Sequence, residues 1–219
     1  MRSIRVPADR VGTLIGKGGE TKKTLQKISG IKLDIDTEEG EVTIHDDVEL
    51  EDPVMALKII DVIKAVGRGF NPDKAMRLFE DDEYLEIVDV KEAVGANQVA
   101  RVRGRIIGKN GTTRKLIEEL TGCDMVIYGN TVGIIGNSVS LPVAKHAVEL
   151  LLQGSEHATV YHYMESQRPL LRISEMGFDT EGLRWKTGSP GIWRPRRSWP
   201  GWACATAASG GCSGSSAHA

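Results

Sequence analysis
The chain has 219 residues, 40% of them hydrophobic, 26% charged and 5% aromatic, with a formal net charge of −2. That is the make-up of an ordinary soluble globular protein with one medium or two small domains; no apolar run reaches the roughly 18 residues of a membrane span, and "MRSIRVPADR" lacks the apolar block of a secretory leader. The cysteines Cys123, Cys204 and Cys212 are too few and scattered for a disulfide framework or a zinc site, so reduced thiols, no metal and no cofactor are expected.

In chain order, "SIRVP" reads as a short strand, followed by a brief helix and the turn "GKGG" at Gly16-Lys17-Gly18-Gly19. A second helix carries Thr24, Leu25 and Ile28 at one-face spacing and stops at Gly30, a residue able to take positive φ. "IKLDIDT" and "EVTIH" read as strands joined by the glycine-bearing "EEGE", and a final helix begins near Pro53. Asn71 and Pro72 have the chemistry of a helix cap and first turn, so a short helix bridges to the second half of the chain. The pattern then repeats. "YLEIVDV" is a strand, "GKNG" at Gly108-Lys109-Asn110-Gly111 is the turn, and Leu116, Ile117 and Leu120 line the next helix up to Gly122. "DMVIYG" and "TVGIIG" are strands, and a helix begins near Pro142. "GSEHATVYHYMESQRPLL" adds a turn and a helix that Pro169 interrupts or ends.

A shift of 92 residues superposes the glycine turns, 90 the strands after them and 88 the last helices. Such drift is what duplicated domains accumulate in their loops. The order β-α-α-β-β-α, twice, predicts an α+β protein. Boundaries fall at 1–66 and 83–153 for the two domains, 67–82 for a helical linker and 154–178 for a helical extension. From about Asp179 the composition turns to Trp, Gly and Ser with no acid after Glu181, and 179–219 reads as a disordered tail.

The near-neutral total hides a segregation of charge. Residues 34–52 hold ten acids and no Lys or Arg, whereas no acid lies between Ala93 and Ile117, where Arg101, Arg103, Arg105, Lys109, Arg114 and Lys115 fall. The glycine turns are not phosphate loops of nucleotide hydrolases. The spacer from Gly12 to Gly16, or Gly104 to Gly108, is one residue short, and Gly18 or Asn110 stands where a magnesium-binding hydroxyl is needed. A Gly-x-x-Gly turn between two helices instead lets a backbone approach closely and presents amide N–H groups to a phosphate. With a lysine at the second position and an apolar wall beside it (Ile15 and Leu25; Ile107 and Ile117), this is the KH module, which clamps about four nucleotides of single-stranded RNA or DNA. No paired carboxylates, nucleophile–base pair or metal cluster suggests an enzyme.

The chain resembles the archaeal twin-KH proteins related to the eukaryotic small-ribosomal-subunit assembly factor known as the partner of Nob. The resemblance rests on "VGTLIGKGGETKKTLQKISG", "RVRGRIIGKNGTTRKLIEELTG", "GFNPDKAMRLFEDDEYLEIVDVKE" and "GSEHATVY", and covers residues 1 to 177. It implies two tandem type I KH domains, each a three-stranded antiparallel sheet packed on one face by three helices. It also implies a cytoplasmic, non-catalytic protein that binds single-stranded RNA near the 3′ end of small-subunit ribosomal RNA. The endonuclease that matures that end and the α subunit of translation initiation factor 2 are the implied partners. By analogy, Gly108, Lys109, Asn110 and Gly111 grip the RNA backbone, Arg103, Arg105, Arg114 and Lys115 meet phosphates, and Ile107 and Ile117 line the base groove. Gly16, Lys17, Gly18 and Gly19 with Lys22 and Lys23 repeat this more weakly beside the acidic stretch. The alternative is a protein-interaction scaffold whose acidic 34–52 face docks a basic partner.

Overall fold
In the computed structural model, residues 2–175 are described apart from 38, 46–53 and 96. The expected helix start at Pro53, much of the acidic stretch, Cys204, Cys212 and the 179–219 tail lie outside them. The first module runs β1 (Arg2–Arg5), α1 (Ala8–Ile15), a 3-10 turn at Lys17–Gly19, α2 (Glu20–Ser29), β2 (Lys32–Ile35), β3 (Glu41–His45) and α3 (Met55–Gly67). The bridge holds α4 (Pro72–Ala75) and a 3-10 turn at Met76–Phe79. The second module runs β4 (Glu83–Asp89), α5 (Val90–Val94), α6 (Val99–Ile107), a 3-10 turn at Lys109–Gly111, α7 (Thr112–Thr121), β5 (Asp124–Tyr128), β6 (Thr131–Asn137) and α8 (Ser140–Leu152), and α9 (His157–Glu175) comes after it.

Both sheets are antiparallel with the last strand central, in the orders β1-β3-β2 and β4-β6-β5. This is the type I KH topology. Val11, Leu14, Leu25, Leu33, Val42, Ile44, Ile59 and Ile63 pack the first core, and Val102, Ile106, Ile117, Met125, Val132, Ile134 and Val148 the second.

The sheets differ in how many faces they cover. β3 alternates between buried and more open residues, as a strand with one wet face must. In β6 every residue from Thr131 to Gly136 is buried. Ile134 and Val132 face the second module's helices, whereas Ile135 joins a cluster with Phe70, Ala75 and Leu78 of the bridge. A Cβ on Gly133 would lie 2.7 Å from Phe70 Cε2, so glycine leaves room for that ring. From the first module, Arg10 donates to the carbonyls of Val66 (3.1 Å) and Phe70 (2.8 Å) and lies 5.9 Å from the centre of the Tyr128 ring.

Four local expectations are corrected. Ile28 is 43% exposed; the inner positions of α2 are Leu25 and Ser29, and those of α7 are Thr113, Ile117 and Thr121. The small hydroxyls are tolerated inside because Ser29 donates to Leu25 O and Thr121 to Ile117 O, each at 2.7 Å. The second module has an additional helix, α5, capped by Asp89, whose Oδ1 accepts from the N–H groups of Lys91 (2.8 Å) and Glu92 (3.4 Å). Asn71 precedes α4 as expected, but its side-chain amide donates to Asp73 rather than capping the helix. Helix α9 continues through Pro169. Pro169 and Glu165 are both exposed, so water can satisfy the Glu165 carbonyl that the proline leaves unpaired.

Candidate nucleic-acid interface
Each glycine loop begins where a helix stops. Gly16 N–H donates to Gly12 O and Gly108 N–H to Gly104 O, both at 2.9 Å. The backbone then takes one path twice. Gly16 has φ 76°, ψ 176° and Gly108 φ 74°, ψ 176°. Gly18 has φ 61°, ψ 17° and Asn110 φ 56°, ψ 27°; Gly19 has φ 78°, ψ 16° and Gly111 φ 75°, ψ 13°. Asn110 is the one non-glycine with positive φ among the described residues, and asparagine is among the few residues that visit this region readily.

The first glycine of each loop is fixed by packing as well. A Cβ at Gly16 would lie 2.8 Å from Thr21 Cβ, and one at Gly108 would lie 2.7 Å from Thr113 Cβ. The last glycine faces open space, with nothing within 4 Å of a Cβ at Gly19 or Gly111. No side chain caps α2 or α7; within the 3-10 turns that lead into them, the N–H of Gly19 donates to Gly16 O and that of Glu20 to Lys17 O, and the N–H of Gly111 donates to Gly108 O and that of Thr112 to Lys109 O. Thr112 Oγ1 donates to Lys109 O at 2.6 Å and tightens the second loop. The loop threonines were not singled out from sequence, although the shift of 92 that pairs the glycines also pairs Thr21 with Thr113.

Around the second loop, Lys109 and Lys115 are exposed and Ile107 is half-buried. Arg103 Nη1 donates to Gly129 O at 3.1 Å, and Arg105 Nη2 to Ser155 O at 2.5 Å. Arg114 Nε stands 4.0 Å from Glu118 Oε2, while Glu118 Oε1 accepts from Met125 N–H at 3.1 Å. Ile117 is fully buried, so a base cannot lie on it in this conformation. The same holds for Leu25 in the first module; both are core residues beneath the loops, and Ile107 and Ile15 are the apolar side chains left at the surface.

The two loops differ in charge. A groove of about 710 Å³ beside the first is lined by Gly16, Lys17, Glu20 and Thr21, and on its far side by Asn71, Pro72 and Asp73. Glu20 starts α2 where the uncharged Thr112 starts α7. Of the basic residues beside the first loop, Lys17 and Lys23 are exposed and Lys22 is half-buried. Below the second module, Asp124 accepts from Lys74 (2.5 Å) and Arg77 (2.6 Å), and Arg77 also donates to Glu83 (2.6 Å). Burial opposes ionisation of the Asp124 carboxyl, yet these two cations hold it below the usual aspartate range. No group of three or more potential metal ligands occurs among the described residues, and none of their helices is long and apolar enough to cross a membrane.

Residues 84–169 match a family model described as a eukaryotic type KH domain (KH-domain type I), and residues 1–50 match the KH domain model. The chain is 44% identical to the KH domain-containing protein of Methanocaldococcus jannaschii over 170 residues, 77% of this chain and 74% of that one. It is 30% identical to the RNA-binding protein pno-1 of Caenorhabditis elegans over 164 residues, 73% of this chain and 59% of that one. Among solved structures, Dim2p from Pyrococcus horikoshii aligns with TM-score 0.71 at 45% identity, over 75% of this chain and 98% of that one. A chain of a complex of a/eIF2alpha, aDim2p and rRNA from the same organism aligns with TM-score 0.73 at 45% identity, over 77% of this chain and 93% of that one. With both Gly-x-x-Gly loops in place on two type I KH folds, the chain belongs to the archaeal KH-domain family related to eukaryotic PNO1 and Dim2.

Proposed function
We propose that this protein binds single-stranded RNA and acts in ribosomal RNA processing during small-subunit assembly, with the second KH module as the principal reader. The observation that carries this is the loop Gly108–Gly111. It holds a left-handed backbone at the start of α7, which no side chain caps, with Lys109 exposed and no acid on the loop or the first turn after it. Such a place favours a phosphate, and bases then lie toward the half-buried Ile107. Arg103, Arg105, Arg114 and Lys115 are the candidate phosphate partners; Arg105 and Arg103 keep free donors beyond their one bond each to a carbonyl. In this reading the modules span 1–66 and 83–153, with 67–82 as linker and 154–178 as extension, and the protein works in the cytoplasm without catalysing a reaction. The target is the 3′ region of small-subunit ribosomal RNA.

A second reading applies to the first module. Glu20 and Asp73 flank Lys17 in its groove, so that loop repels phosphate where the second does not. This favours protein contact there, and initiation factor 2α, present with rRNA in the Pyrococcus complex, is a fitting partner, as is the maturing endonuclease.

Fluorescence anisotropy of a labelled oligonucleotide matching that 3′ end, against a scrambled control, tests the first reading. Lys109→Asp/Asn110→Asp should abolish preferential binding. Affinity should fall by about 0.7 log units per log unit of salt for each phosphate contact on a single strand. Binding indifferent to sequence and to the double substitution would leave only the scaffold reading.

A further inference from the structure
Helix α9 packs behind the second Gly-x-x-Gly loop, where it bonds residues on both helices that meet there. On the α6 side, Arg105 Nη2 donates to the carbonyl of Ser155, in the turn that starts α9. On the α7 side, Tyr161 Oη donates to Thr113 Oγ1 at 3.1 Å. Thr113 is 4% exposed and is the side chain against which Gly108 is packed. One hydroxyl therefore connects α9 to the first glycine of the loop through a single intervening residue. Among the described residues the first module has no counterpart. After α3 the chain turns into the bridge, and among the described residues Thr21 receives no such hydroxyl bond.

We propose that Tyr161 is a positioning residue for RNA binding: by holding Thr113 it fixes the backbone of Gly108–Gly111 in its binding conformation before RNA arrives. The proposal rests on the RNA-binding reading of that loop. The physical reason is preorganisation. A loop with positive φ at three of its four residues has other conformations open to it, and each one populated in the free protein lowers apparent affinity by the fraction lost. A threonine in a helix divides between two χ1 rotamers; with its hydroxyl bonded to α9, one of them is held. Tyr161 is half-buried with its hydroxyl turned to Thr113, so its bond acts on the loop through that residue.

Tyr161→Phe removes the hydroxyl and leaves the ring. Its affinity for the rRNA 3′ oligonucleotide should fall about fivefold at 25 °C, the scale of one lost hydrogen bond. The salt slope should stay unchanged, because the number of phosphate contacts does not alter. Thr113→Ser, which keeps the hydroxyl, should bind nearly as wild type. Thr113→Val should bind as Tyr161→Phe, and combining Val with Phe should add nothing. Hydrogen exchange without RNA should show faster exchange at the amides of 109–112 in Tyr161→Phe and no change at 17–20. Wild-type affinity and wild-type exchange in Tyr161→Phe would overturn the proposal while leaving RNA binding intact. A wild-type protein that fails to prefer the oligonucleotide would overturn the binding reading and this proposal with it.

Discussion

Gly108 and Thr113 are packed so closely that position 108 has no room for a side chain. A Cβ there would stand 2.7 Å from the Thr113 Cβ, at a φ of 74° that already disfavours any other residue. Gly111 has the same φ range, 75°, but open space around it. The two alanine substitutions should therefore separate. Gly111→Ala meets only the left-handed backbone penalty, about 1–2 kcal/mol. Gly108→Ala meets that penalty and the clash, so its denaturant midpoint should fall clearly further. Equal midpoints for the two variants would show that Thr113 can give way.

Ile107 and Ile117 should part in the opposite sense. Ile117 is fully buried, and Ile117→Ala should destabilise by about 2–5 kcal/mol. Affinity for RNA, measured well below the melting temperature, should change little. Ile107→Ala should leave the unfolding midpoint nearly in place and weaken oligonucleotide binding, because only that side chain is open to a base. Parallel urea titrations and anisotropy on both variants decide the matter.

Among the described residues Phe70 is the largest fully buried side chain, and it closes the second sheet from outside. Phe70→Ala should cost about 3–5 kcal/mol in stability. Gly133→Ala should be damaging for the converse reason, since its methyl group would meet the ring at 2.7 Å. Phe70→Leu in the Gly133→Ala background should recover part of the loss, which thermal melts of the single and double variants would show.

The Asp124 carboxyl provides a pH test. Its folded-state pKa is lowered because bonds from Lys74 and Arg77 outweigh burial. A lowered carboxylate pKa gives stability that is complete above the unfolded value of about 3.9 and disappears as pH falls through the folded value. Asp124→Asn should be less stable than wild type at pH 7, by about 1–3 kcal/mol for a partly buried charged hydrogen bond. The gap should narrow below pH 4. Urea midpoints at pH 7, 5 and 3 would show this, and a gap constant across that range would separate the effect from the charge.

The frame of the protein was legible because its strongest signals are local. Gly16, Gly108 and Asn110 need a backbone few residues adopt, and the repeated register of those positions marks two copies of one fold. What escaped reading depends on contacts that sequence spacing does not encode. Ser29 and Thr121 look like surface residues until each bonds the carbonyl one turn back. Ile28 and Leu25 both fit a helical stripe, and only packing against the sheet separates them. Asp89 and Glu92 did carry the spacing of a helix start at the end of "YLEIVDV", but the strand pattern masked it. Tyr161 lies 48 positions from Thr113, and no periodicity links them.

The double burial of β6 also bears on how the protein melts. Phe70, Ala75 and Leu78 belong to one apolar cluster with α3 of the first module and Ile135 of the second. Separating the halves would expose that cluster on at least one of them, so their unfolding should be coupled. Calorimetry should record one cooperative endotherm, with matching van't Hoff and measured enthalpies. Although its sequence was written twice, this chain should come apart once.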